Sequence, residues 1–527
     1  MKKIGFDNFR RFEKFPLMEL APITFFVGEN NAGKSSVVKG IIAYSDFLNN
    51  NKCIDESIIL EKDKEGESLD IINKKLLKEV KFFFNTSYLA HIGTFKRAVC
   101  NKTKSNIISF HTDLGYIKVS VSIKGNRNDE ESISGNVSLV TVNLPVFNID
   151  LNFDVENDIA TITFNHDIVD NKFHSSTQVK ERQEIYLNSF DRDLTLTTSI
   201  SANWNAIRGS LISSIISMFE DTINSTIFSE NEDVLYGRVQ PFLNISKEEK
   251  RILKNIINCI SPSVISRKMR GGFKFYPILN GYYSKFVNIE YIYAHAVSQT
   301  VIYGTRDSND YLSRTIHEFA PHQKEKRKRD FILKWMKIFG IGTDYVIKSV
   351  GGEAHIVYIK NNDGHEVNLA DKGMGSIQLM VLLFRLAITL PQKGLKNFYH
   401  YGEKVVIIEE PEQNLHPSLQ SKLADLFYEI NRDYKFRFIV ETHSEYLVRR
   451  SQVIVASAYK NAEKNAKGWD NPFKVYYFPA EGYPYDMEYA TDGYFENPFG
   501  KGFFNVSSEL SLDLDRIEQG TYNEGQD

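Results

Sequence analysis

The 527-residue chain has little of what marks a secreted or membrane-embedded protein. Its 3 cysteines, Cys53, Cys100 and Cys259, lie far apart with neither metal-ligand spacing nor an even-numbered disulfide pattern, so they read as buried or incidental thiols. No apolar run approaches the roughly 18 to 20 residues that a membrane span needs. The N-terminus runs straight into Ile4-Gly5-Phe6 without a signal-peptide core, and a cytoplasmic protein with no membrane partner is the expectation. No internal repeat, low-complexity tract or sustained heptad array is present, which argues against a long coiled-coil arm. Charge of one sign is not in excess either. Lys+Arg 64 against Asp+Glu 67 leaves a net charge of -3, which argues against a global polycation built for nucleic acid, although local basic patches are compatible with it. What the chain does have is apolar material, 42% of its residues, in a length that calls for two or three domains.

The most informative segment is Gly28 to Ser36, Gly-Glu-Asn-Asn-Ala-Gly-Lys-Ser-Ser. It follows the apolar run Ile23-Thr24-Phe25-Phe26-Val27 and precedes Val37-Val38-Lys39-Gly40-Ile41-Ile42, a strand-loop-helix setting with Gly-x4-Gly-Lys-Ser spacing. Asn30, Asn31, Ala32, Gly33, Lys34, Ser35 and Ser36 are therefore the expected phosphate-binding residues. Backbone N–H groups of Gly33 and its neighbours wrap a β-phosphate at the helix N-terminus, Lys34 reaches the β- and γ-phosphates, and the Ser35 hydroxyl holds Mg²⁺. A nucleoside triphosphate is the implied ligand.

Between about Val80 and Thr198 several segments alternate with period two, such as Ile117 to Ile123 and Ile159 to Phe164, and predict half-buried antiparallel strands. Asp55 to Glu79 is charged and reads as a solvated face. Helical spacing follows in Ile207 to Ile223 and Ile252 to Ile260. A second organised block opens near Ile289. There a helical run is expected from about Tyr311 to Phe339, and it contains Lys324-Glu325-Lys326-Arg327-Lys328-Arg329, five of six residues basic. Such a block either contacts phosphates in a groove or is a solvated helix face, the commoner case.

Val405-Val406-Ile407-Ile408-Glu409-Glu410-Pro411-Glu412 is an apolar strand ending in consecutive carboxylates. Glu409 is expected in the metal shell beside Ser35, and Glu410 where it orients or deprotonates an attacking water. Phe436 to Val440 is another buried strand and leads into Glu441-Thr442-His443-Ser444. The separation from the carboxylates is about one crossover helix and a return strand, so a parallel sheet would bring His443 beside Glu410 at the edge where ligands bind. Upstream, Asp371-Lys372-Gly373-Met374-Gly375-Ser376 opens an apolar helix, and glycines with Ser376 at a helix N-terminus suit an anion.

In this order the motifs resemble the ABC-type ATPases of the SMC, RecF and OLD group. The elements are the phosphate loop, a long insertion, Gly373-x-Gly375-Ser376 as signature, Ile408-Glu409-Glu410-Pro411, Asn414-Leu415-His416-Pro417 as D-loop, and Glu441-Thr442-His443-Ser444 with the switch histidine. The resemblance covers residues 1 to 48 and 286 to 480. It implies an α/β fold, an ABC-type ATPase head of mixed sheet flanked by helices with a large α+β insertion. The corresponding domains are 1–48 and 286–480 for the head, 49–285 for the insertion and 481–527 for a C-terminal tail. It also implies ATP and Mg²⁺ as cofactors, with Glu410 and His443 catalytic, Ser35 and Glu409 on the metal, and a homodimer or higher oligomer that sandwiches ATP. In that dimer Gly373, Gly375 and Ser376 of one chain contact the γ-phosphate held by Lys34 of the other. The Q-loop glutamine is open among Gln178, Gln240 and Gln299.

Without a coiled-coil arm, the chain is closest in texture to Septu-type and retron-associated anti-phage ATPases. That resemblance implies a sensor or regulatory subunit controlling a separate HNH-type effector nuclease, with a reverse transcriptase and its non-coding RNA as further partners. The alternative is a RecF-type repair ATPase that binds DNA itself, through Arg267, Lys268, Arg270 and Lys326 to Arg329. An OLD-like nuclease in the same chain is disfavoured. Glu481-Gly482 and Asp513-Leu514-Asp515 fit its pattern superficially, but no amphipathic helix is expected between them, no buried strand precedes the Asp pair, and too few residues remain for a catalytic domain.

Overall fold

The computed structural model describes residues 3–50, 81–84, 92–113, 118–144, 149–154, 156–157, 159–164, 194–199, 289–293, 300–304, 310–390, 404–464, 469–500, 503 and 506–518. The charged stretch 55–79, the helical blocks 207–223 and 252–260, the three glutamines, Arg267, Lys268, Arg270, Cys53 and Cys259 lie outside these residues. The fold is mixed α/β. The chain divides into two compact units, the first made of Met1–Glu19, Ser36–Asn288 and Tyr399–Gly402, the second of Leu20–Ser35, Ile289–Phe398 and Glu403–Asp527.

From the N-terminus, β1 (Lys3–Phe9), β2 (Phe12–Glu19) and β3 (Ile23–Gly28) precede α1 (Lys34–Asn50). In the first unit β1 and β2 do not join β3. They form the edge of an antiparallel sheet ordered β10-β9-β8-β7-β6-β5-β1-β2, with β4 (Lys81–Phe83) on β7. Its strands are β5 (Ile107–Asp113), β6 (Lys118–Lys124), β7 (Ser134–Leu144), β8 (Ile149–Asp154), β9 (Ile159–Phe164) and β10 (Leu194–Ser199), and the short helix α2 (Phe95–Ala98) lies between β4 and β5. The predicted alternation is visible in β5 and β6, where Ile108, Phe110, Val119, Val121 and Ile123 are buried and their neighbours are not. Aromatic rings fill that face: Tyr44 and Phe82 both stack on Phe110 at 5.1 Å between centroids.

The second unit is built on a sheet ordered β11-β16-β17-β3-β18-β19, from β11 (Ile289–Ile292), β16 (Val405–Glu409), β17 (Arg437–Glu441), β3, β18 (Phe473–Phe478) and β19 (Tyr485–Met487). All its neighbour pairs except β18 with β19 are parallel. A parallel strand covered on both faces needs an unbroken apolar run, which is why Ile23 to Val27 and Val405 to Ile408 carry no alternation and are buried throughout. A smaller antiparallel sheet holds β12 (Tyr303–Gly304), β13 (Asp344–Val350), β14 (Ala354–Lys360) and β15 (Glu366–Asn368). Around these pack α3 (Tyr311–Phe319), α4 (Lys326–Phe339), α5 (Met374–Thr389), α6 (Pro417–Tyr434) and α7 (Glu445–Lys464), with α8 (Val506–Glu518) near the end of the chain. Trp335, Tyr345, Phe384, Leu386, Phe427 and Phe438 belong to one continuous core.

Three expectations are corrected. The single helical run from Tyr311 to Phe339 is two helices, because Pro321 has no N–H to continue α3 and instead starts a 3-10 turn over Ala320–His322. The basic block is largely spent inside its own unit: Lys328 is buried and pairs with Glu325 at 3.2 Å, Arg329 pairs with Asp344 at 2.6 Å, and Arg327 lies over the Tyr434 ring at 4.9 Å. Only Lys324 and Lys326 of its basic residues are exposed. Finally, a helix, α8, does occupy the stretch between Pro498 and the chain end, and it carries Asp513 and Asp515 itself. Asp513 is paired with Arg516 at 3.0 Å. Among the described residues no helix is long and apolar enough to cross a membrane.

Candidate active site

The site lies in the second unit at the C-terminal ends of β3, β16 and β17, the edge where parallel sheets bind ligands. The turn out of β3 demands glycine at position 28. Its φ is 130°, and a Cβ there would sit 2.1 Å from the Phe478 carbonyl oxygen of β18. Asn31 (φ 60°) and Gly33 (φ 100°) also have left-handed backbones, which asparagine and glycine tolerate. Helix α1 then starts at Lys34, leaving the first N–H groups of the helix without intrahelical partners and facing an anion site.

Lys34 is only 3% exposed, and its ammonium donates to the carbonyls of Gly28 at 3.0 Å and Glu29 at 2.8 Å. Burial lowers its pKa, while Glu441, Glu410, Glu412 and Glu29 pull it back up. The Ser35 hydroxyl donates to Glu441 Oε1 at 2.7 Å, not to Glu409. Strand order gives the reason. β17 lies between β16 and β3, so Glu441 is in register with Phe26 of β3 on one side and with Glu409 of β16 on the other. Burial, then the nearby Glu409 and Glu410, push the Glu441 carboxyl up to about 7 against the Ser35 hydrogen bond and Lys34. Glu409 instead stands beside Tyr291 of β11, whose phenol is pushed up by burial and by that carboxylate.

Glu410 leaves β16 with φ 43°, an uncommon backbone for a residue with a side chain, fixed by its N–H donating to the Glu441 carbonyl at 2.7 Å. Its Oε2 accepts from the Gln413 side-chain amide, and its Oε1 is 3.9 Å from His443 Nε2. Burial and Lys34 hold the His443 imidazole below its ordinary pKa against the opposing pull of Glu410. The His443 backbone N–H donates to Glu412 Oε1 at 2.6 Å, and burial raises the Glu412 carboxyl. Asn30, Glu410, Glu412, Gln413, His443 and Ser444 are among the residues that line an open cleft of about 650 Å³.

A family model for the AAA ATPase domain matches residues 1–448. The chain belongs to the AAA ATPase domain family. Nucleotide binding comes with that membership. Comparison with curated proteins gave no match. Among solved structures, this AAA ATPase is similar to the SMC head domain from Thermotoga maritima, at 10% identity over 92% of this chain and 98% of that one, with a TM-score of 0.31. It is also similar to the Smc head domain with an extended coiled coil, bound to the C-terminal domain of ScpA, from Pyrococcus furiosus. That match has 12% identity, covers 98% of this chain and 99% of the other, and has a TM-score of 0.29.

The residues of this AAA ATPase fit a divalent cation. A hydroxyl, Ser35, and a buried carboxylate, Glu441, already face each other, and Glu441 Oε2 is buried with no hydrogen-bond partner among the described residues. Hard oxygen donors, few in number and set beside a phosphate loop, suit Mg²⁺. Gly373, Gly375 and Ser376 are placed differently. Gly373 (φ 60°) caps α5 and lies outside the cleft lining, as do Gly375 and Ser376. Gly375 packs so tightly on the turn after β16 that a Cβ would be 2.5 Å from the Asn414 carbonyl oxygen. Gln378 ties the same helix to that turn, accepting from the Asn414 amide at 3.3 Å and donating to the Glu410 carbonyl at 3.4 Å.

The sequence reading left out Glu441, Glu412, Gln413, Gln378 and Tyr291 as site residues. Glu441 had a signal, a carboxylate at the end of a buried strand run. The others have none, since their positions depend on a turn or a neighbouring strand.

Proposed function

We propose that this AAA ATPase binds ATP with Mg²⁺ and hydrolyses it in a composite site completed by a second copy of the chain. The observation that carries the reading is the convergence of Lys34, Ser35, Glu441, Glu410 and His443 at the ends of adjacent strands. Bound Mg²⁺ supplies charge neutralisation at the phosphate oxygens. Ser35, the carboxylates that end β16 and β17, and the loop N–H groups from Asn30 to Ser36 hold and orient the triphosphate and its cation. Lys34 exchanges its loop carbonyls for phosphate oxygens. Glu410 orients a water and takes its proton, and His443 donates a hydrogen bond to the γ-phosphate or the water.

In the proposed dimer, Gly373, Gly375 and Ser376 present the N-terminus of α5 to the nucleotide of the partner copy. ATP then joins the heads and hydrolysis separates them. The likeness in texture to Septu-type and retron-associated ATPases supports placing the protein as the sensor or regulatory subunit of an anti-phage complex that controls a separate effector nuclease. The head comprises residues 1–48 and 286–480 in this reading, and 49–285 is the insertion available to a partner. Direct DNA binding of RecF type is less well supported, because Arg327, Lys328 and Arg329 are engaged within their own unit.

The test is phosphate release by the purified protein with and without Mg²⁺, beside Glu410→Gln. Wild-type turnover that falls by about 100-fold or more in the variant, with nucleotide still bound, is the expected result. Undiminished turnover in Glu410→Gln would remove Glu410 from the mechanism. Light scattering on the ATP-loaded variant is expected to give a dimer, and an ATP-bound monomer would overturn the sandwich.

A further inference from the structure

We propose that Glu441 is a direct ligand of the divalent cation, sharing it with the Ser35 hydroxyl, and that Glu409 supports the site from one strand behind. The proposal rests on the nucleotide reading above. Three observations carry it.

The strand order comes first. Between the phosphate-loop strand β3 and the carboxylate strand β16 runs β17, so the acid delivered next to Ser35 is the last residue of β17. The second observation is a distance. Two oxygens bound side by side in the octahedral shell of one Mg²⁺, each at about 2.0 to 2.1 Å, lie about 2.9 Å apart. Ser35 Oγ and Glu441 Oε1 are 2.7 Å apart. A cation entering there displaces one hydroxyl proton from a hydrogen bond and needs no large movement of either side chain. The third is the state of the other oxygen. Glu441 is 4% exposed, and its Oε2 has no hydrogen-bond partner among the described residues. Burying a carboxylate that is only half partnered is costly, and a cation held at its other oxygen offsets that cost. Glu409, in register with Glu441, stands beside Tyr291 of β11, one strand further from β3.

The competing role for Glu441 is positioning, in which it only aims the Ser35 hydroxyl. The full chain is titrated with Mn²⁺ in the presence of a saturating non-hydrolysable ATP analogue, and bound metal is read from loss of the free-ion electron paramagnetic resonance signal. Glu441→Gln keeps the shape of the side chain and relieves a buried charge, so an unchanged or raised melting temperature without metal is the control for folding. Its Mn²⁺ affinity is expected to fall at least about tenfold and by more than in Glu409→Gln, while nucleotide affinity in excess chelator is unchanged. In a Ser35→Ala background, Glu441→Gln is expected to cost a further tenfold or so, because a ligand acts without the hydroxyl and a positioning residue does not. As an orthogonal readout, Glu441→Cys is expected to gain a Cd²⁺-thiolate absorption band over the wild type. Unchanged Mn²⁺ affinity in Glu441→Gln, a larger loss in Glu409→Gln, or no further loss in the Ser35→Ala background would overturn the assignment. If the wild type binds no nucleotide with any cation, the nucleotide reading itself falls. Nucleotide binding with any of the other three results leaves that reading standing and removes only Glu441.

Discussion

At the scale of single residues, the site depends on backbone positions as much as on charged groups. Gly28 has both an unfavourable φ for any other residue and the Phe478 carbonyl in the space a Cβ would fill, whereas Gly364, in the turn between β14 and β15, has φ 89° with nothing within 4 Å. The two effects can therefore be separated. Gly364→Ala is expected to cost about 1 kcal/mol of unfolding free energy, the strain alone, and Gly28→Ala on the order of 3 kcal/mol because β18 must move as well. Denaturant unfolding of the two variants checks this, and equal losses would mean that the close approach to Phe478 contributes nothing. The charged groups were partly legible in the sequence. Lys34, Ser35, Glu410 and His443 could be named from motif spacing, but the acid that bonds Ser35 could not, because which carboxylate faces the loop is set by the neighbour order of strands far apart in the chain.

At the scale of elements, sequence patterning identified the strands well and the helix ends less well. The apolar runs at β3, β16 and β17 and the alternation at β5 and β6 have direct physical causes in burial on two faces or on one. A proline splits α3 from α4, and α8 has a helical pattern in a segment rich in turn residues just upstream. Two of these elements face each other through titratable side chains. His355 of β14 is buried, with its Nε2 3.3 Å from Nδ1 of His317 on α3. Burial, then His317, lowers its pKa below the ordinary value of about 6.5. Its stabilising contribution is therefore complete above that ordinary value and is lost as the pH falls through the lowered one. The melting temperature of the wild type is expected to drop relative to His355→Gln on going from about pH 7.5 to pH 5.5. Parallel curves for the two proteins would show that His355 does not titrate in the folded state.

At the scale of the whole molecule, the proposed assembly makes a prediction that no single chain can imitate. Lys34→Ala removes the phosphate lysine, and Ser376→Arg blocks the N-terminus of α5. Each variant alone is expected to be inactive. In an equal mixture, half the dimers are mixed and each of those has one intact site, so roughly a quarter of wild-type turnover should return if sites are shared across a two-fold dimer. No recovery on mixing would place the whole site in one chain. The folding of Arg327, Lys328 and Arg329 into their own unit bears on the same scale, since a basic run in the sequence is not a basic groove until its partners are known.

The sequence by itself determined the local elements: a glycine-rich loop with Lys34 and Ser35 between a buried strand and a helix, paired acids at the end of a second strand, a histidine after a third, and enough apolar residues to cover a parallel sheet on both faces. These follow from local spacing and periodicity, which act over a few residues. The tertiary structure decided the neighbours. It put β17 between β3 and β16, turned Gly375 onto the Asn414 carbonyl, used the basic block for internal pairing, and placed β1 and β2 in the antiparallel sheet of the first unit. Strand order and side-chain partnership are set by how distant surfaces fit together, and no local pattern in the chain encodes that fit.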